Sequence, residues 1–362
     1  MALEKPLIPT ETTRSSPSVA SQASHAAEPR IERLPSSMLA VAQNRYGSTD
    51  ALEVTTRPLP EPAPGQVLLR VHAAGVDRGV WHLMTGQPYL VRVLGFGLRR
   101  PRQPVRGNDV AGVVVAIGAG VDRLAVGDRV FGLADGSFAE YAVAEAEKLV
   151  PVPDGLTQAG VLAASGIAAL HAVEDVAHVR SGQRVLVLGA SGGVGSYAVQ
   201  FAVAHGAKVA AVASGAKADF VRGLGADHVH DYRSVDVTSL PETFDAIIDV
   251  GGRTPLRRLR RVLAPEGVLV IVGGEGGDAL TGGLMRQISA PVLSLFSRQR
   301  LTFFIAPEHR DPLERIAAHV AAGRVQPALT HAYPLQDAAR AIDDLVAGRI
   351  AGKSAIVPDP RS

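Results

Sequence analysis

Cysteine is absent from all 362 residues of the chain, which excludes disulfides, iron–sulfur clusters and every zinc site built on thiolates. Aromatic residues make up 4%, too few for a surface that stacks nucleic-acid bases. Neither sign of charge dominates. The 37 Lys and Arg stand against 35 Asp and Glu, and a formal charge of +2 argues against a dedicated nucleic-acid binder. No apolar run reaches the roughly 18 residues of a transmembrane helix without Gly, Pro or charge interrupting it, so no membrane partner and a cytoplasmic location are expected. Residues 1–37 are rich in Ser, Ala, Pro and Thr and lack the apolar core of a secretory signal. They read as a disordered extension, with Met38 as an alternative start.

The length is about twice that of a common domain, which suggests two domains. From Leu39 to Pro153 the chain reads as short strands broken by Gly and Pro, among them QVLLRVHAAGV, DVAGVVVAIGAG, DRVFGL and FAEYAV. Their lengths and β-branched content suit a compact, partly open barrel. From Ala159 to Arg300 apolar strands alternate with helices: RVLVLG, VGSYAVQFAVAHGA, KVAAVAS, AKADFVRGLGA, FDAIIDV, PLRRLRRVLAP and GVLVIVGG. That rhythm specifies a doubly wound parallel sheet covered on both faces. The expected organisation is an α/β chain with a mainly-β domain over 38–158 and 301–362, into which a Rossmann domain, 159–300, is inserted.

In RVLVLGASGGVGSYAVQ an apolar strand runs into the turn Gly189, Ala190, Ser191, Gly192, Gly193, Val194, Gly195 and then a helix. Small residues there let backbone amides approach a diphosphate at the helix N-terminus, where the helix dipole also favours negative charge. Glycine runs are common in turns, but here the flanking strand, helix and second strand are all in place. An NAD site would carry Asp or Glu at the end of that second strand. This chain has Ser214, nineteen residues past Gly195, followed by Lys217. With no carboxylate to repel a 2′-phosphate and two donors to hold it, NADP(H) is the expected cofactor. Lys217 also reads as a solvated lysine at a helix start.

The stretches AAGVDRGVW, RGNDVAGVVVAIGAGV, VGDRVFG, VLGASGGVGSYAVQFA, FVRGLGADHV and AGRVQPALTHAYPLQDAARAIDDLVAGRIAGK, in this order, resemble the zinc-independent, quinone oxidoreductase-like branch of the medium-chain dehydrogenase/reductase family. The resemblance covers Met38 to Pro358. It implies a GroES-like catalytic domain around the Rossmann unit, with substrate and nicotinamide meeting between them, and homodimers joined through Rossmann edge strands, here LTFFIAP. It places diphosphate contacts on Ser191, Gly192, Gly193, Val194 and Gly195, and 2′-phosphate contacts on Ser214, Lys217 and Tyr232. Gly251 and Gly252 fall near the adenosine and ribose, and Val272 and Gly273 near the nicotinamide. Zinc-dependent relatives carry a Cys and a His-Glu pair where Val76 to Trp81 and Gly107 to Asp109 offer neither. Quinone reductase-like relatives usually have Asn in place of Asp77 and often Asp in place of Val80.

Hydride transfer leaves the protein to stabilise an oxyanion and deliver a proton. Candidates in the first-domain loop are Asp77, His82 and Tyr89. Histidine is the side-chain type suited to proton transfer near neutral pH, so His82 is the preferred general acid, with Asp77 second. Both have plainer readings, His82 as a surface or helix-end histidine and Asp77 as the holder of a turn. No metal-ligand spacing occurs among the histidines; His228 and His230 share a strand face without a third donor. The apolar, basic stretches YLVRVLGFGLRRPRQP and LMRQISAPVLSLFSRQR read as cleft walls or lids, implying a small hydrophobic carbonyl, enone or quinone substrate; a membrane-surface role for the first is the competing reading. Two other functions fit the same motifs: a non-catalytic NADPH-binding sensor or partner-binding protein, and a thioester enoyl reductase.

Overall fold

The computed structural model describes residues 34–273, 280–295 and 297–358. The extension expected over 1–37 lies outside them up to residue 33, and strand β1 already begins at Ser37. The chain separates into Met1–Pro35 and Ser36–Ser362, and the architecture below is that of the second unit.

Seven strands come first: β1 (Ser37–Ala42), β2 (Glu53–Pro58), β3 (Gln66–Val76), β4 (Asp109–Ile117), β5 (Arg129–Leu133), β6 (Tyr141–Glu145) and β7 (Leu149–Pro151). Helix α1 (Arg78–Thr85) follows β3, and α2 (Ala163–Leu170) leads into the second region. That region holds β8 (Arg184–Leu188), α3 (Gly193–Ala204), β9 (Lys208–Ala213), α4 (Ala218–Gly223), β10 (His228–Asp231), β11 (Phe244–Asp249), α5 (Leu256–Leu259), β12 (Leu263–Ile271), α6 (Leu284–Ser294) and β13 (Arg300–Phe303). Helix α7 (Arg310–Ala321), β14 (Leu329–Pro334), α8 (Ala338–Val346) and β15 (Lys353–Val357) complete it.

Strands β8 to β13 form one parallel sheet in the order β10-β9-β8-β11-β12-β13. Relative to the first strand this is 3-2-1-4-5-6, the dinucleotide-binding order, whose direction of winding reverses between β8 and β11. The near-continuous Val, Leu, Ile and Ala of β8, β9 and β11 are buried because helices cover both faces. Helix α3 is buried from Gly195 to Ala202, and its Tyr197 hydroxyl donates to Val161 O at 3.0 Å and accepts from Ala328 N at 3.2 Å.

The second sheet runs β14-β15-β3-β4-β5-β7, with β6 on β3. The C-terminal strand returns to the first region by pairing antiparallel with β3, Ser354 opposite Val76. One boundary differs from expectation. The division at 300/301 falls inside β13, whose Arg300 to Phe303 pair with Val268 to Ile271 of β12. Leu313 and Ile316 of α7 pack in a core shared between the two regions, with Phe131 and Val150 of the first and Phe201 of α3. A four-residue edge strand carries too little periodicity to be assigned to a sheet from sequence.

Candidate functional site

The glycine turn sits where the sheet reverses. Gly189, at the end of β8, takes φ of +77°, and a Cβ there would lie 3.1 Å from Gly251 N at the end of β11. A Cβ on Gly195 would come within 2.1 Å of Gly189 O, so helix and strand meet at a separation only glycine permits. The amide of Ala190 donates to Val212 O and that of Gly192 to Gly189 O, both at 3.0 Å; these two hold the turn's shape. Gly193 and Val194, in the first turn of α3, have amides with no acceptor in their own helix, the donors an anion would take. Ser191 is tied to the first region, its carbonyl accepting from Gly352 N at 2.8 Å.

Beside the turn, Gly251, Gly252, Val272 and Gly273 gather around Asp249, which the sequence reading passed over. Its backbone oxygen accepts from Val272 N at 3.0 Å and Gly273 N at 3.3 Å, and Oδ1 accepts from Gly252 N at 2.9 Å. Asp249 is 1% exposed and its other oxygen is paired with Arg286 of α6, whose guanidinium also donates to Thr254 O at 3.0 Å. A lone Asp ending an apolar strand was the only sequence signal for it. Within LMRQISAPVLSLFSRQR, Arg286 therefore turns inward while Met285, Ile288, Val292 and Leu295 stay exposed. Phe296 lies outside the described residues. The other expected wall reaches the segment just before this one: Leu90 N donates to Leu280 O at 3.2 Å. Arg92 anchors that loop, stacked at 4.3 Å over Tyr46 and 4.7 Å over Tyr89, and donating to Gly86 O and Thr85 O. Val93, Leu94, Phe96 and Leu98 project to the surface.

Ser214, Lys217 and Tyr232 come together because β9 and β10 are parallel neighbours with Ala213 opposite Asp231. Tyr232 is 59% exposed, with the Arg233 guanidinium 5.6 Å over its ring. The Lys217 ammonium donates to Ile350 O at 2.5 Å, and burial lowers its pKa. Contrary to expectation, a carboxylate does stand at this edge. Asp231 Oδ2 lies 2.7 Å from where a Gly215 Cβ would be. Its Oδ1 is engaged by Arg233 N at 3.0 Å. The strand alongside supplies it, seventeen residues after Ser214, where a search at the end of β9 alone does not look.

Asp77 is the N-cap of α1, Oδ1 accepting from Val80 N at 3.1 Å, as in its turn-holding reading. Its Oδ2 is buried without a hydrogen-bond partner and lies 4.0 Å from Lys353 Nζ. Lys353 opens β15, is 1% exposed, and donates to Asp109 Oδ2 at 2.9 Å. Asp109 opens β4, and its Oδ1 accepts from Ala164 N at the start of α2 at 2.5 Å. Burial pushes the Asp109 carboxyl up; Lys353 pulls it down and Asp77 raises it further. The Lys353 stem lies against the glycine turn, 2.8 Å from where a Gly193 Cβ would stand. The register between β15 and β3 thus places one ammonium between two carboxylates under the dinucleotide turn. Lys353 and Asp109 were invisible in sequence, being single charges in apolar strands. His82 lies in the last turn of α1, half-buried, with Nδ1 2.7 Å from Gln87 O, a contact in which the nitrogen donates. Five residues separate it from Asp77, roughly 140° around the helix, so the two do not share a face.

An alcohol dehydrogenase GroES-like domain model matches residues 63–154, and a zinc-binding dehydrogenase model matches 224–356. The chloroplast envelope quinone oxidoreductase homolog of Arabidopsis thaliana is 30% identical over 339 residues, covering 89% of this chain and 98% of that protein. A phenolphthiocerol/phthiocerol polyketide synthase of Mycobacterium tuberculosis is 31% identical over 97% of this chain, which spans only 16% of that much longer protein. Among solved structures, mycobacterial Rv1454c complexed with NADPH superposes with a TM-score of 0.76 at 27% identity, covering 89% of this chain and all of that one, 100%. Fold and site together define a dinucleotide-dependent oxidoreductase of two-domain type. The chain belongs to the medium-chain dehydrogenase/reductase family, in its quinone oxidoreductase-like branch.

Proposed function

We propose that the protein transfers hydride between NADP(H) and a small hydrophobic enone, quinone or other carbonyl compound, without a catalytic zinc. The observation that carries this reading is the glycine cradle at the sheet reversal, continuous with Ser214, Lys217 and Tyr232 on the adjoining strand ends. The residues fit the cofactor: only Gly189 O, at 3.4 Å, lies near a hypothetical Gly192 Cβ, leaving the outer side of the turn open to a diphosphate. Gly193 and Val194 amides would hold that diphosphate, Ser214, Lys217 and Tyr232 the 2′-phosphate, and the Gly251–Gly252 and Val272–Gly273 turns the remainder. The NADPH bound to Rv1454c supports the choice of cofactor.

When bound, the nicotinamide supplies or accepts the hydride; the chain orients the reactants, excludes water and handles the proton. In this scheme Asp77 is the acidic group offered to the reactants, because its Oδ2 has no hydrogen-bond partner and lies 4.0 Å from Lys353 Nζ, whereas both Asp109 oxygens are engaged. Asp77, with its side chain 15% exposed, is the member of the trio most open to solvent. His82, whose Nδ1 donates to Gln87 O, is the second candidate donor. The lack of cysteine and of a His-Glu pair at Val76–Trp81 and Gly107–Asp109 supports zinc independence. The apolar stretches at 89–104 and 284–300 support a hydrophobic substrate; the protein is taken to be cytoplasmic. The outer edge of β13, unpaired among the described residues, supports a homodimer joined there.

Stopped-flow loss of NADPH absorbance over a panel of enones, quinones and aldehydes tests the proposal. Tight NADPH binding with no turnover on any of them rejects it and leaves the sensor reading. The polyketide synthase likeness over 97% of the chain favours a second reading, reduction of an enoyl thioester. Faster turnover of an enoyl-pantetheine than of the free enone selects it.

A further inference from the structure

At the end of α3 remote from the glycine turn, roughly 18 Å along the helix axis, three donor groups converge. Among the described residues, Glu174, His205 and His319 bring one carboxylate oxygen and two imidazole nitrogens within 4.8 Å of one another. Glu174 lies in the turn continuing α2, His205 closes α3, and His319 stands in the last turn of α7. Glu174 Oε1 is 2.8 Å from His205 Nε2 and 2.9 Å from His319 Nε2. Its other oxygen accepts from Arg315 at 2.6 Å, and Arg315 also grips both oxygens of Asp175, at 2.8 and 3.0 Å. The guanidinium therefore sets the carboxylate with Oε1 toward the imidazoles. The Phe201 ring, 5.2 Å from His319 and edge-on, fixes that imidazole in turn. His319 and Glu174 side chains are 11% and 13% exposed and His205 is 34% exposed, so water reaches the cluster from the His205 side.

We propose that Glu174, His205 and His319 form a divalent transition-metal site of the two-histidine, one-carboxylate type, with water completing the coordination. Two imidazoles and a carboxylate are a donor set that Zn²⁺ accepts readily. Bond lengths of about 2.0–2.2 Å in a tetrahedral arrangement set donors roughly 3.3–3.6 Å apart, so each Nε2 need move about half an ångström from Oε1 to admit the ion. With neutral imidazoles, Glu174 and Asp175 outnumber Arg315, leaving negative charge for a cation to offset. The ion replaces the two Nε2 protons that now point at Oε1, and each imidazole carries its proton on Nδ1 instead. Nδ1 of His319 is buried without a hydrogen-bond partner, so this tautomer is not free and the affinity is micromolar rather than nanomolar. Binding ties the α2 extension, α3 and α7 together far from the dinucleotide turn, as a structural rather than catalytic ion. The inference is independent of the substrate reading.

The experiment is isothermal titration of the chelator-stripped full chain with ZnCl₂, repeated with CoCl₂ under visible absorption. One equivalent bound at micromolar affinity, a raised melting temperature and cobalt ligand-field bands are expected. His205→Ala, the most exposed ligand and least important to packing, loses at least about tenfold in affinity, as does Glu174→Gln. The His228→Ala/His230→Ala double variant retains full binding. Absence of saturable uptake, or uptake that His205→Ala leaves intact in a protein of unchanged circular dichroism, overturns the site.

Discussion

Lys353 Nζ donates to Asp109 Oδ2 at 2.9 Å across 244 residues of sequence, both side chains 1% exposed or less. A charge pair so deeply withdrawn from water is costly to form and costlier to break. Lys353→Met should destabilise the protein by about 3–5 kcal/mol at neutral pH, read from urea unfolding, because Asp109 is left buried and uncompensated. The sign of its pH dependence follows. Without the ammonium, Asp109 stays buried only if protonated, whereas the unfolded chain releases that proton above about pH 4. The deficit of the variant therefore grows as pH rises and shrinks as it falls. A deficit independent of pH would mean that lost packing, not charge, is responsible.

Two glycines six and three residues past Gly189 should respond differently to the same methyl group. Gly195→Ala places a Cβ 2.1 Å from Gly189 O and should cost about 3 kcal/mol or more of stability. Gly192→Ala meets nothing nearer than 3.4 Å and should fold normally, yet lose dinucleotide affinity, because its methyl group enters the space left for the diphosphate. Calorimetry on the folded Gly192→Ala protein checks this; undiminished NADPH binding would move the diphosphate elsewhere.

Lys217→Ala should weaken NADPH by about 1–3 kcal/mol and leave NADH nearly unaffected, since only NADPH carries the phosphate this lysine is proposed to hold. Burial lowers the Lys217 pKa, so its charge is lost at a lower pH than that of a solvated lysine. NADPH affinity in the wild type should fall as pH rises and that charge is lost, while NADH affinity stays flat. Parallel pH profiles for the two cofactors would remove Lys217 from the phosphate site. Asp231→Asn, which deletes the nearby carboxylate, should shift preference further toward NADPH.

Asp77→Asn keeps a competent N-cap for α1, so the fold should hold while the proton source is lost. Turnover is expected to drop by roughly tenfold or more. His82→Gln should have the smaller effect. If the order is reversed, or Asp77→Asn leaves kcat untouched, Asp77 serves as a helix cap and His82 as the donor.

The dinucleotide region was legible from sequence because its signal is local. From Gly189 to Gly195 the turn, the helix start and the close helix–strand contact are encoded within seven residues, and strand periodicity places Ser214 and Lys217 at the next strand end. Residues whose importance comes from a neighbour far along the chain left no such trace. Asp249 looked like any strand-ending carboxylate until Arg286 was found against it, and Asp231 enters the phosphate edge only through the pairing of β10 with β9.

Local pattern, then, decides what a segment becomes, since backbone torsions and amphipathic periodicity act over a few residues. It determined the parallel sheet, the glycine turn and the exclusion of thiolate zinc. Partnership among buried charges depends on sheet order and register. Only the folded chain set Lys353 between Asp77 and Asp109, by running β15 antiparallel to β3, and brought His205 and His319 to one oxygen of Glu174. Electrostatic energy at such contacts falls steeply with distance and rises with burial, and both are properties of three-dimensional packing that linear spacing does not encode.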